Sequence, residues 1–282
     1  MQSKKITNNI RQINYRLANT KKYFFTKIFT FFSKLFFGHN LNFMKSNEIY
    51  EFILKEKGII PKKKLDFYID ELYGDKNLIN KFNQIPQQKW LNWKDKVIKN
   101  ADYIACSYAI IRETQPNVII ETGTAKGANT CFLLAALSKN NKGKLISIDL
   151  PSKENELTQL ITVAENKVGE NIPDEYKGRW ELIVGDAKKY LPTMLLENNV
   201  DIFIHDSLHT YTHMQYEYNL AKTLMSEGAL ILSDDISIWN NSFYDFIKNH
   251  ELNGFSGFCN PNFGGCINRF SIEELKIGVK VQ

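Results

Sequence analysis

Residues 117–127, NVIIETGTAKG, decide the reading of this chain. A β-branched run suited to a strand buried on both faces ends on an acidic residue, Glu121, and the chain then turns on Gly123 and Gly127 into a helix-like segment, ANTCFLLAALSK. Glycines at such a turn let the backbone bend sharply and approach a ligand closely, while the N–H groups opening the helix favour polar or anionic ligand groups. Glu121, at the strand's C-terminal end, can accept hydrogen bonds from a cationic or hydroxylated group. The same turn occurs in α/β proteins that bind nothing there, so its meaning rests on the strands downstream of it.

The segment KLISIDLP places Asp149 at the end of a second apolar strand, 22 residues after Gly127. A doubly wound fold holds a carboxylate against ribose hydroxyls at about that distance. A third strand, WELIVGDA, ends at Gly185, Asp186 and Ala187, in reach of an adenine edge. Three strand ends therefore face one crevice. The spacing argues against a dinucleotide fingerprint, because GxGxxG packs its glycines tightly under a pyrophosphate, whereas Thr124, Ala125 and Lys126 separate the two glycines here. In their order, ETGTAKG, ISIDLP and VGDA resemble the nucleotide-binding motifs of class I S-adenosylmethionine-dependent methyltransferases. The resemblance covers residues 103–270 and implies an α/β, Rossmann-like fold: a seven-stranded methyltransferase sheet flanked by helices. It implies that Glu121, Gly123, Thr124 and Gly127 surround the methionine end of S-adenosylmethionine, Asp149 its ribose, and Asp186 with Ala187 its adenine.

The chemistry is written further on. VDIFIHDSLHTYTHMQYEY reads as a fourth strand over residues 201–205, with Asp206 and His209 in the turn after it, and EGALILSDDI as a fifth, closed by Asp234 and Asp235. Right-handed crossovers set these two strands side by side, about 5 Å apart, so that three carboxylates converge. Such a cluster repels itself unless a cation or protons neutralise it, and hard oxygen ligands suit Mg²⁺. Neighbouring residues in a strand point to opposite faces, so Asp234 and Asp235 act together only if the strand has ended before them. In the other reading one of the pair caps the next helix. His209 is placed to take a proton from an acceptor hydroxyl, which a metal would acidify. DSLH followed by SDD resembles the metal-dependent sugar and macrolide O-methyltransferases grouped with the cephalosporin hydroxylase-like family. By that resemblance Asp206, Asp234 and Asp235 are metal ligands and His209 is the general base. Many relatives carry Glu-Asp where this chain has Asp234 and Asp235, which leaves open which of the two binds more strongly. His205 reads as a buried strand-end residue, and His213 as a surface or supporting histidine one turn past His209. Tyr211, Asn240 and Asn241 are pocket candidates, while His39 and His250 have no supporting constellation.

At 282 residues and 43% hydrophobic content, the chain can bury a full α/β core and still carry an N-terminal extension. It divides into a basic amphipathic segment (1–44), a helical N-terminal region (45–100) and the methyltransferase domain (101–282). ADYIACSYAIIRETQ reads as a helix packed beneath the sheet, NSFYDFIKNH as another, and GFSGFCN with NFGGCINRF as a closing hairpin at the sheet edge. Trp90 and Trp93 are expected to pack inward or line the acceptor entrance. Cys106, Cys131, Cys259 and Cys266 show no metal-ligand spacing and fit reduced thiols in a cytoplasm. The net charge of +5 is uneven: eight of the 36 basic residues and none of the 31 acidic ones lie in residues 1–40, leaving the remainder at −3. No nucleic-acid partner is expected of such a domain. The basic excess includes residues 21–37, where YFFTKIFTFFSKLFF, on a helix, shows a narrow polar stripe among seven phenylalanines. That segment is short of the roughly 20 residues of a membrane span. It suits lying on the anionic inner face of a membrane, or packing on the domain or on a second subunit. The function implied is metal-assisted methylation of a hydroxyl on a sugar or glycosylated small molecule. The alternatives are a metal-independent small-molecule methyltransferase and a membrane-associated, non-catalytic protein that keeps the fold.

Overall fold

A computed structural model of the chain describes residues 41–78, 80, 101–151, 163–236, 241–257 and 263–270. A short strand, β1 (Leu41–Met44), precedes two helices, α1 (Ser46–Glu56) and α2 (Leu65–Tyr73). A π-helical turn, Ala101–Ala105, runs into α3 (Cys106–Thr114), which ends where Gln115 takes a left-handed conformation (φ 48°) and Pro116 follows. Strands and helices then alternate: β2 (Val118–Thr122), α4 (Thr130–Asn140), β3 (Lys144–Asp149), β4 (Trp180–Val184), α5 (Ala187–Glu197), β5 (Ile202–His205), α6 (Tyr211–Leu224), β6 (Leu230–Ser233), α7 (Ser242–Asn249), β7 (Gly254–Gly257) and β8 (Gly264–Ile267).

The strands form one sheet in the order β1-β7-β8-β6-β5-β2-β3-β4, parallel throughout except for β8, which runs antiparallel to both of its neighbours. The apolar runs of the strands explain why both faces are covered. Ile119, Ile202, Ile204, Leu230 and Leu232 pack on one side with α1, α2, α3 and α4. Ile120, Phe203 and Ile231 pack on the other with α5, α6 and α7. The winding reverses beside β2, whose neighbours are β3 on one side and β5 on the other, so the crevice of this fold opens at the C-terminal ends of β2 and β5.

The seven strands of the expected sheet are present, and β5 and β6 lie side by side as expected. An eighth strand, β1, joins them: it pairs parallel to β7, so the β7–β8 hairpin is not the edge it was expected to be. The N-terminal helices are fastened to the rest of the fold by Glu113 of α3. Its carboxylate accepts from Tyr50 Oη (3.1 Å), Tyr68 Oη (2.7 Å) and the N–H groups of Lys62 and Lys63 (3.0 Å each). Cys106, Cys131 and Cys266 are buried free thiols. Residues 21–37, His39, Trp90, Trp93, Asn240 and Cys259 lie outside the described residues.

Candidate active site

β2 delivers its C-terminal end into the glycine turn. Gly123 has φ +85°, and a Cβ there would collide with the backbone carbonyl of Asp206, so the residue that bends the first turn is also the one that lets the end of β5 lie against it. Gly127 (φ +80°) would place a Cβ 2.7 Å from Ile172 Cγ1. Asp149, at the tip of β3, accepts from the Thr124 and Ala125 N–H groups at 2.6 and 2.8 Å, fixing the loop by one carboxylate oxygen, Oδ2. Glu121 lies beneath the turn: it is fully buried and accepts from Thr130 Oγ1 at 2.9 Å and Ser147 Oγ at 2.8 Å. Burial, helped by the charge of Asp149, pushes its carboxyl up to about 7. Asp186 caps α5, accepting from Lys188 N at 2.9 Å, and stands exposed at the rim above buried Ala187.

Asp206 is the first residue past β5. Its N–H donates to the Thr122 carbonyl (2.9 Å) and its Oδ2 accepts from Asn129 Nδ2 (3.2 Å). β6 ends at Ser233, before the acidic pair, so the condition for Asp234 and Asp235 to act together is met. Asp234 is tied by its N–H to the His205 carbonyl (2.9 Å), and Asp235 turns the chain with φ +51°. His209 Nε2 stands 3.7 Å from Asp206 Oδ1 and 3.7 Å from Asp235 Oδ2. The side chains of His209 and Asp206 are 26% and 20% exposed, enough for a ligand to reach them. Burial, then the charges of Asp234 and Glu121, hold Asp206 well above the usual carboxylate range. Burial and neighbouring His205 lower His209, with Asp235 opposing. Among the described residues no group of three His, Cys, Asp or Glu side chains is gathered at a spacing that would hold a metal ion.

A second network, which no sequence motif announces, lies behind this turn. Glu217, fully buried on α6, takes four hydrogen bonds. His205 Nδ1 (2.6 Å) and Thr122 Oγ1 (2.7 Å) reach one oxygen, and His213 Nε2 (2.8 Å) and Ser207 Oγ (3.0 Å) the other. Burial alone would raise this carboxyl, but the bonds from His205, His213 and Thr122 outweigh it and hold it down at about 2. Its one trace in the sequence is the spacing of His213 and Glu217, one helical turn apart. His213 is thus a buried partner of Glu217. Tyr211 is half-exposed and donates to Asp245 Oδ2 at 3.0 Å, Asn241 is exposed, and His250 bonds Asn219 away from the crevice.

No curated protein matches the chain. Residues 120–236 match a family model described as a methyltransferase domain. Among the solved structures that resemble the chain, three at low identity are representative. Cofactor-bound Rv0187 from MTB is 18% identical over 73% of this chain and 96% of its own, with a TM-score of 0.42. The O-methyltransferase TomG from Streptomyces achromogenes, in complex with SAM, is 16% identical over 81% and 100%, with a TM-score of 0.44. The O-methyltransferase from Bacillus cereus, in complex with SAH, is 13% identical over 73% and 100%, with a TM-score of 0.43. Likenesses at that level carry no argument about chemistry. The family match runs from β2 to the residue after Asp235 and so takes in the glycine turn, Asp149, Asp186 and the His209 cluster. That match lies on the doubly wound sheet, so residues 120–236 of this chain are similar to a methyltransferase domain.

Proposed function

We propose that this domain transfers the methyl group of S-adenosylmethionine to a hydroxyl of a small molecule, a sugar or glycosylated compound, with His209 as the base. The observation that carries the reading is the position of His209 Nε2 between Asp206 and Asp235, on the lip of the crevice that the glycine turn opens. The acceptor oxygen attacks the methyl carbon as the carbon–sulfur bond breaks, and the electron pair passes to sulfur. The acceptor proton goes to His209 Nε2 and from there to solvent. A neutral imidazole is needed for this, and burial lowers the proton affinity of His209 in the required direction. Glu121, Gly123, Thr124, Gly127, Asp149, Asp186 and Ala187 form the cofactor side. Glu121 acts through the loop it supports, and Asp149 through both the loop and the ribose. Much of the acceleration comes from holding donor and acceptor in line.

A divalent ion, Mg²⁺ in the first instance, would be held by Asp206, Asp234 and Asp235. The donor set fits it in kind, being oxygen-rich, crowded with negative charge and partly open to solvent. A bound ion would acidify and align the acceptor hydroxyl. One observation favours a metal-independent route instead: the described side chains are not gathered at ligand spacing, and His209 already stands between two of the carboxylates. Calorimetric titration with S-adenosylmethionine, with and without Mg²⁺, followed by an acceptor screen in the presence and absence of chelator, tests both. Cofactor binding with turnover abolished by chelator supports the metal-assisted reading, and full turnover in chelator the metal-independent one. Absence of cofactor binding sinks the proposal.

Among the described residues no helix is long and apolar enough to cross a membrane. The pattern of residues 21–37 supports a cytoplasmic enzyme held peripherally on the inner face of a membrane, or against a second copy of the chain.

A further inference from the structure

The loop between α1 and α2 puts apolar and basic side chains into water together. Residues 58–67, GIIPKKKLDF, carry three lysines and one acidic residue, Asp66. Ile59 packs on the core, but its neighbour Ile60 is 88% exposed, and Phe67 is 45% exposed with Lys63 Nζ 5.1 Å from its ring centre. Pro61, Lys62 and Lys64 are exposed as well. The backbone beneath them is fixed. The Lys62 and Lys63 N–H groups donate to buried Glu113, Tyr50 Oη donates to the Lys63 carbonyl at 2.7 Å, and the Ile59 N–H donates to the Leu54 carbonyl at 2.8 Å. A loop pinned on both sides of Ile60 thus holds a branched aliphatic side chain out in water, an arrangement that gains nothing within the chain itself.

Its place in the fold narrows the partner. Lys57, at the start of the loop, donates from Nζ to the Gly228 carbonyl at 2.6 Å, just ahead of β6, and Glu113 lies in the last turn of α3, just ahead of β2. The loop is therefore at the N-terminal ends of the strands, while the crevice opens at the C-terminal ends of β2 and β5. β1 runs in the same direction as β6, so the chain enters the fold at Leu41 on this same end, shortly after the basic residues 21–37. Lysines select an anionic surface, and their flexible ammonium groups suit one without fixed geometry. An isoleucine held in water selects a surface with an apolar layer beneath its charge, which a nucleic acid lacks. A membrane of anionic lipid has both.

We propose that this end of the molecule docks on an anionic lipid surface, with Ile60 and Phe67 entering the headgroup layer, Lys62, Lys63 and Lys64 meeting the lipid anions, and the crevice turned toward water. This rests on the peripheral placement proposed above and deepens it, naming a second contact and the side of the fold that faces the lipid. Co-sedimentation of the full chain with phosphatidylcholine vesicles, with and without phosphatidylserine, tests it. Every substituted side chain is exposed, so the fold is kept. A lysine beside such a surface is worth about fivefold in affinity, so Lys62→Glu combined with Lys64→Glu should weaken binding to the anionic vesicles about twentyfold or more. Ile60→Ser leaves every charge in place and should weaken it about threefold or more. Lys188→Glu combined with Lys189→Glu makes the same charge change on exposed lysines at the crevice end, and should alter binding by less than about threefold, since salt screens charges held that far from the lipid. Loss in the loop variants with binding kept in the crevice-end variant supports the proposal. Unchanged binding in both loop variants overturns it and leaves residues 21–37 to make the contact. Equal weakening by the two lysine pairs also overturns it, because net charge rather than this face would then govern binding. An unmodified chain that ignores the anionic vesicles overturns the proposal together with the peripheral placement.

Discussion

At the scale of single residues, Asp149 and His209 carry the sharpest expectations. One carboxylate oxygen of Asp149 is committed to the Thr124 and Ala125 N–H groups, so its removal loosens the loop and, in the function proposed, also strips the ribose of a charged partner. Asp149→Ala should weaken S-adenosylmethionine binding by about 1–3 kcal/mol in calorimetry, with the fold kept. Unchanged affinity would take Asp149 out of the pocket. His209→Ala should lower turnover by about 10² to 10⁴-fold while leaving cofactor affinity nearly unchanged. Activity of the unmodified enzyme should rise as His209 loses its proton. Because burial lowers its proton affinity, that rise should fall at lower pH than for an ordinary imidazole, and it should vanish in the variant. A variant with the same rising limb places the base elsewhere. These residues were legible because each closes an apolar run or lies in the turn just after one. Asn129 was not, since only the folding of α4 against the end of β5 brings its amide to Asp206.

At the scale of elements, the β5–α6 turn is held from behind. α6 folds back under β5 and brings Glu217 against residues from three places in the chain, Thr122, His205 with Ser207, and His213. Replacing Glu217 by Gln puts an amide N–H₂ among four donors. The expected loss is about 3–5 kcal/mol of stability near neutral pH, read by urea unfolding. The carboxyl is depressed in the folded state, so its contribution is fully present above the ordinary Glu range and is lost as pH falls from there through about 2. The acid-side decline in stability should therefore be shallower in Glu217→Gln than in the unmodified chain. Equal slopes would mean that the buried group is not ionised. The strands β2 to β6 could be read from sequence because their β-branched runs are punctuated by glycine or aspartate. β1 could not: LNFM is four residues long, contains no β-branched residue, and gains its place only by pairing with β7. The network around Glu217 showed in sequence only as a His–Glu pair at helical spacing, which on most helices is a surface pair.

At the scale of the whole molecule, charge and architecture separate. Eight basic residues and no acidic ones precede residue 41, whereas the rest of the chain is net acidic. If the first segment rests on a membrane, the full chain should co-sediment with vesicles containing phosphatidylserine at low salt, release in about 0.5 M salt, and ignore vesicles of neutral lipid alone. Equal binding to both vesicle types would make the phenylalanines rather than the charges the anchor, and binding to neither would leave a second copy of the chain as the partner. Within the domain, the missing side chain of Gly123 is filled by the carbonyl of Asp206. The loop expected to grip the methyl donor and the turn expected to accept the proton are therefore keyed into each other like two halves of a hinge plate. A protein engineer could not transplant one without the other. Retuning this enzyme for a new acceptor has to begin at outer features such as Leu208 and Tyr211, which are exposed at the rim, and leave the joint between β2 and β5 alone.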